Sequence, residues 1–267
     1  MPSIAALILG LLQGLTEFLP VSSSGHLVLG AALLDYRSPG LILETAVHLA
    51  TTLAVIIYFR RRFASVLRGM LRDADSRKLV VMLGLAFTTT AVVGLVLDRT
   101  GIIGVAFGSP AITGAMLLIT ALALVSVRRL RPPPEEAGDT LDVTWKVALL
   151  VGLAQGVAIF PGISRSGFTI VAGLWGGLGR NSAAEFSFLL SVPTILAASL
   201  YELWREPDLA VAGSYEMAAA AAVAFVTGLA AIHWLMRWLR QGRLWWFSGY
   251  CAVVGSLAVL LWGFYWN

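Results

Sequence analysis

Glu17, His26 and Arg165 are the residues of this sequence whose types could perform chemistry together. Each sits within or beside an apolar run, where an unpaired ionisable group is costly and therefore marks a functional candidate. A carboxylate, an imidazole and a guanidinium can move protons around a bound anion. Hydroxyls cluster beside them, Ser22, Ser23 and Ser24 in one place and Ser164, Ser166 and Thr169 in another. Each cluster stands with glycine at the expected start of a helix, whose free N–H groups would add positive potential suited to phosphate. Plainer readings stand alongside. Serines before a helix also serve as caps, a histidine in a membrane can hydrogen-bond between helices, and Arg165 could form a fixed ion pair with Glu17. Glu44, His48 and Glu185 suit either support of such a site or structural hydrogen bonding, and His233, near a basic edge, reads as interfacial.

The elements that must position these groups are read from hydropathy. Of 267 residues 58% are hydrophobic and only 13% charged, with a mean hydropathy of +0.83. That leaves too little polar surface to cover a soluble globule, so the chain belongs in a bilayer. An all-α polytopic membrane protein is expected. A crossing helix needs about 17 to 25 apolar residues, which predicts six spans at about 41–59, 79–97, 110–127, 183–203, 215–236 and 244–265. Two further apolar regions, 3–35 and 146–180, break at Pro20–Gly25 and Pro161–Gly167. Their arms are too short to cross and predict two re-entrant helical hairpins. The chemical residues lie at or near these two breaks.

Basic residues supply the orientation. With each hairpin entering and leaving on one side, fifteen fall on one face, beginning with Arg60, Arg61, Arg62, Arg68, Arg72, Arg77 and Lys78. Only Arg37, Arg99 and Arg205 fall on the other. The basic face is expected to be cytoplasmic, which places both termini outside the cytoplasm. The N-terminal run lacks the basic start of a cleavable signal peptide. A single cysteine, Cys251, rules out an intrachain disulfide framework and is expected to be a packed or lipid-facing thiol. Nothing supports nucleic-acid binding.

The chain is also internally repeated. A shift of 142 positions lays Gly10, Gln13, Gly14, Phe18, Ser22, Ser24 and Gly25 on Gly152, Gln155, Gly156, Phe160, Ser164, Ser166 and Gly167. One integral membrane domain is expected, with halves 1–130 and 143–267 joined by the Pro-rich acidic linker 131–142. One hairpin and three crossings per half make the repeat inverted, so the two breaks enter from opposite faces and could meet near the midplane. Transporters use the same plan.

The segment Gln13-Gly-Leu-Thr-Glu17-Phe-Leu-Pro-Val-Ser-Ser-Ser-Gly-His26, followed by Pro161-Gly-Ile-Ser-Arg165-Ser-Gly-Phe-Thr169, resembles the paired signature of undecaprenyl-diphosphate phosphatases of the bacitracin-resistance type. The likeness extends to Glu185–Pro193 and to the six-span, two-hairpin plan. It implies hydrolysis of undecaprenyl diphosphate to the monophosphate and phosphate, recycling the cell-wall carrier lipid. That entails a role in peptidoglycan synthesis, cell shape and bacitracin resistance, from the bacterial inner membrane with an extracytoplasmic site. Glu17, His26, Ser23 and Arg165 would then be catalytic, with Ser23, His26 or water as the nucleophile. Gln13, Ser22, Ser24, Ser164, Ser166 and Thr169 would hold the diphosphate. The family also implies Mg2+ or Ca2+ near Glu17, although Gln13 stands where many members carry a second carboxylate. Expected partners are a polyprenyl diphosphate, membrane lipids and, compatibly with the sequence, a second copy in a homodimer. The rival is a polyprenyl-phosphate transporter or flippase on the same scaffold.

Overall fold

The computed structural model describes residues 4–34, 42–131, 142–205 and 215–265. Arg37 and all of the linker except Arg131 and Asp142 lie outside the described residues. Among the described residues the chain is predominantly helical, without a strand. In chain order the helices are α1 (Ile4–Thr16), α2 (Ser23–Leu33), α3 (Ile42–Tyr58), α4 (Arg60–Gly69), α5 (Ala74–Arg99), α6 (Ile102–Phe107), α7 (Pro110–Ser126), α8 (Trp145–Val157), α9 (Arg165–Trp175), α10 (Arg180–Arg205), α11 (Tyr215–Arg240) and α12 (Phe247–Leu260). Short 3-10 turns at Val127–Arg129 and Leu244–Trp246 close α7 and open α12. Among the described residues five helical stretches are long and apolar enough to cross a membrane, or six if the pair α3–α4, bent by 72°, is counted as one span. Exposed apolar residues such as Val81, Val92, Val96, Val226 and Val253 line these long helices, as lipid-facing surfaces require. The protein is a multi-pass, all-α membrane protein.

The expected spans fall on α3, α5, α7, α10, α11 and α12, and the observed helices run past several of the expected ends. Helix α4 was not foreseen, because the expected loop 60–78 was read for its charge alone. Its arginines carry their charge on an amphipathic helix that turns away from α3, and Arg62 pairs with Glu185 on α10. Asp73 caps the start of α5 by accepting from the Ser76 backbone N–H at 2.6 Å, which holds its exposed carboxyl below its ordinary pKa.

Small residues set how closely the long helices pack. A Cβ on Gly10 or Gly14 of α1 would collide with the backbone of α11 at Ala220 and Ala224. On α8, Gly152 and Gly156 meet Ala86, Thr89 and Val93 of α5 in the same manner. Gly114 of α7 and Gly255 of α12 face each other, each too close to the other's carbonyl to carry a side chain. Lipid tails are as apolar as leucine, so such close contact, rather than hydrophobic burial, holds membrane helices together. Each short first arm therefore leans on a long helix from the opposite half of the chain.

Candidate active site

The two broken segments meet. Helix α1 stops at Thr16 because Pro20 follows, removing a backbone donor and disfavouring helix in the residue before it. Glu17 still makes the last helical bond, its N–H donating to the Gln13 carbonyl at 2.8 Å. The four-residue spacing puts Gln13 and Glu17 on one face. Phe18 plugs the turn, 1% exposed and edge-on to Phe188.

Ser22 then caps α2. Its hydroxyl accepts from Gly25 N–H at 3.2 Å and, across the molecule, from Gly162 N–H at 3.0 Å. Ser164 caps α9 in the same way, accepting from Gly167 N–H at 3.1 Å. Gly162 is the point of closest approach. It has φ +97, and a Cβ there would strike the Thr113 carbonyl. Thr120 of α7 ties the second break down, donating to the Gly162 carbonyl at 2.8 Å and accepting from Ser164 N–H at 3.0 Å.

Between the breaks lies a cavity of about 250 Å³ whose walls include Glu17, Ser22, Ser23, Ser24, Ser164 and Arg165. The Glu17 carboxylate is nearly sealed, its side chain 1% exposed. One oxygen is ion-paired with Arg165 Nη2. The other accepts from Ser23 Oγ at 2.5 Å and Gln13 Nε2 at 2.8 Å, and His48 Nδ1 stands 3.5 Å away. A hydroxyl hydrogen-bonded to a carboxylate, beside a guanidinium and two helix N-termini, is the arrangement of a nucleophile, its base and an anion holder.

The expected residues divide. Glu17, Ser22, Ser23, Ser24, Ser164 and Arg165 reach the cavity. Gln13 is fully buried behind Glu17, also contacting His48 Nδ1 at 2.8 Å. Ser166 donates to the Leu19 carbonyl at 3.0 Å, and Thr169 bonds Ser187 at 2.6 Å, so both brace α9. His26 lies outside the cavity wall. Its Nδ1 bonds the Ser22 carbonyl at 2.8 Å, which requires a proton there, so Nε2 accepts from the Tyr250 hydroxyl at 2.7 Å. The two rings stack. Cys251 is fully buried with its thiol toward the Pro20 carbonyl, a packed thiol.

Except for His48, the far wall was not foreseen from the sequence. It holds Thr45, His48, Thr90, Gln155, Thr194, Ser199 and Glu202. His48 was expected from the sequence either to support the site or to make structural hydrogen bonds, and it stands beside Glu17. Gln155 stood out as the repeat counterpart of Gln13, which was the available signal. Its Nε2 donates to Thr90 at 3.2 Å and Thr194 at 3.0 Å. Both threonine hydroxyls donate to backbone carbonyls, so the amide orientation is fixed and Gln155 Oε1, buried, has no donor.

These donors do not fit Mg2+ or Ca2+ as a resident cofactor. Hard cations want several free oxygen ligands, yet both Glu17 oxygens already accept from protein donors and one faces a guanidinium. Among the described residues no group of three His, Cys, Asp or Glu side chains converges on a metal position.

The cavity extends to Thr45 at the start of α3 and Glu202 near the end of α10, which hydrogen-bond at 2.9 Å. At the same end of the bundle Arg205 faces Asp98 at 3.4 Å.

Residues 6–257 match the model of a family described as bacitracin resistance protein BacA. A protein of Desulfatibacillum aliphaticivorans named undecaprenyl-diphosphatase is 39% identical, over 95% of this chain and 96% of its own length. Proteins of the same name from Cereibacter sphaeroides and Korarchaeum cryptofilum are 38% and 41% identical, each over 96% of this chain and 96% and 97% of their own lengths.

Proposed function

Because the chain belongs to the bacitracin resistance protein BacA family, we propose that the cavity is the active site of an undecaprenyl-diphosphate phosphatase. The protein is a membrane hydrolase that converts undecaprenyl diphosphate to undecaprenyl phosphate and inorganic phosphate, supplying the carrier lipid for cell-wall synthesis and so acting in bacitracin resistance.

The observation that carries the chemistry is the Ser23 hydroxyl donating to Glu17 at 2.5 Å inside the cavity. In the proposed mechanism Ser23 Oγ attacks the terminal phosphorus while Glu17 takes its proton. The Oγ–P bond forms, the bridging P–O bond breaks, and undecaprenyl phosphate leaves, taking the proton from Glu17 so that the carboxylate is restored. Water then attacks the phosphoserine, giving its proton to Glu17; the P–Oγ bond breaks, Glu17 returns that proton to Ser23 Oγ, and phosphate departs. Arg165 swings part of its charge from Glu17 to the phosphoryl oxygens, and the N-termini of α2 and α9 share the load. Ser24 and Ser164 line the diphosphate's seat, while Gln13, Ser22, Ser166 and Thr169 hold the frame that shapes it. His26 fixes α2 through Ser22 and Tyr250, and His48 stands next to Glu17 for proton exchange. Mg2+ or Ca2+ enters this proposal only as the counter-ion of the diphosphate, as part of the substrate, and no step runs through it.

A transporter needs an anion site but not a carboxylate aimed at a serine, so hydrolysis is favoured. The cavity extends toward the end of the bundle poor in arginine, which supports an extracytoplasmic site in the inner membrane with both termini on that side. The repeat supports two inverted halves carrying two re-entrant hairpins. Every site residue comes from a single chain, so the proposal holds for a monomer or a homodimer.

The test is phosphate release from undecaprenyl diphosphate by purified protein in detergent, with acid quench of terminally labelled substrate. Label on the wild-type protein and none on Ser23→Ala is expected. Rapid release by Ser23→Ala would overturn the serine mechanism, and near-normal release by Glu17→Gln would overturn the acid–base assignment.

A further inference from the structure

At the end of the bundle rich in arginine, a small recess forms between the 3-10 turns that follow α7 and precede α12, lined also by Leu174 and Leu239. Arg128 and Arg180 both border it. The Arg128 guanidinium lies over the Trp245 ring at 4.5 Å, which fixes its position. Arg180 is half-buried and, among the described residues, makes no hydrogen bond or ion pair. It is also the first residue of a 26-residue helix with no acidic side chain in its first turn. A cation at the positive end of a helix dipole is unfavourable, and partial burial without an anion adds to that.

The backbone makes room for the Arg180 guanidinium at the recess. Gly242 has φ +70, and a Cβ on it would stand 3.1 Å from Arg180 Nη2. Trp245 borders the recess and packs on Trp246, which in turn meets Trp238 and carries Arg243 over its ring at 4.9 Å. Such aromatic residues settle at the level of lipid headgroups.

We propose that this recess binds the phosphodiester of an anionic membrane lipid, held between the Arg128 and Arg180 guanidiniums with its acyl chains against the neighbouring apolar helices. One phosphate supplies what each feature lacks: an acceptor for Arg180 and a counter-charge for the α10 N-terminus. The inference is independent of the hydrolytic reading, since the recess shares no residue with the cavity.

The test is native mass spectrometry of protein released from nanodiscs of equal phosphatidylglycerol and phosphatidylcholine. The wild type should retain phosphatidylglycerol preferentially. Arg128→Gln and Arg180→Gln should each cut that preference about fivefold, the ratio equivalent to about 1 kcal/mol for one arginine at an anionic surface. Lys146→Gln, a basic residue outside the recess, should leave it unchanged, and Arg180→Gln should keep wild-type phosphate release. Arg128 is exposed, so its variant folds even if Arg180→Gln does not. No preference in the wild type, or equal losses in all three variants, would overturn the site. Displacement of the lipid by inorganic phosphate would overturn the lipid assignment in favour of a free anion.

Discussion

Ser22 holds φ 67 without being glycine, a conformation that costs about 1–3 kcal/mol and survives only where surrounding bonds enforce it. Here the enforcing bonds are the two N–H donors, Gly25 and Gly162, that converge on its hydroxyl. Ser22→Ala keeps the strain and loses both bonds, so it should destabilise the protein more than Ser22→Gly, which relieves the strain. Thermal unfolding in detergent orders the two, and a more stable alanine variant would contradict this account. Arg165→Lys should lose roughly a hundredfold in rate, since a point charge replaces a planar donor that can hold two phosphoryl oxygens. Phosphate release checks it, with size exclusion reporting whether the Glu17 pair also supports the fold. Tyr250→Phe should lower stability by about 1 kcal/mol, one lost hydrogen bond, with kcat little changed. A large fall in kcat would return His26 to proton transfer. Glu17, Ser23 and Arg165 were legible because charge in an apolar run has few uses. His26 was legible as a residue but not as a contact, because its partner Tyr250 lies 224 positions away and no local pattern announces it.

Among elements, the helices follow hydropathy well where lipid is the solvent, since length and apolarity are then dictated by bilayer thickness. The breaks at Pro20 and Pro161 were equally plain, because proline and glycine punctuate helices. What hydropathy left out is where helices touch. Gly14 and Gly114 carry no charge and fit any helix, yet their missing side chains decide the α1–α11 and α7–α12 contacts. Gly14→Val should therefore abolish the folded form, whereas Gly84→Val, where a Cβ meets nothing within 4 Å, should be tolerated. Yield of monodisperse protein after size exclusion distinguishes them. Equal yields would mean that α1 does not depend on close approach to α11.

For the whole molecule, the asymmetry of arginine predicts how the bundle sits in the bilayer. In a protein with Cys251 replaced, a thiol at Arg68 should resist an impermeant label applied from outside the cytoplasm, and one at Asp98 should react. Reversed labelling would invert the orientation. The far wall of the cavity shows what one chain-wide repeat hides. Gln155 repeats Gln13 in sequence, but its neighbours are threonines rather than a carboxylate and a histidine, so likeness of position did not carry likeness of role.

The packing of α1 on α11 also sets a timetable. Chains grow at about 5–20 residues per second, and α11 begins at Tyr215, so α1 waits about 10–40 s after its own synthesis for the helix it packs against. Glu17 is made long before Arg165, and for that interval it sits in a newborn segment without its counter-charge. Assembly of the cavity is thus one of the last events of biosynthesis, and a chain stalled after α10 would leave α1 without its packing partner and the bundle incomplete.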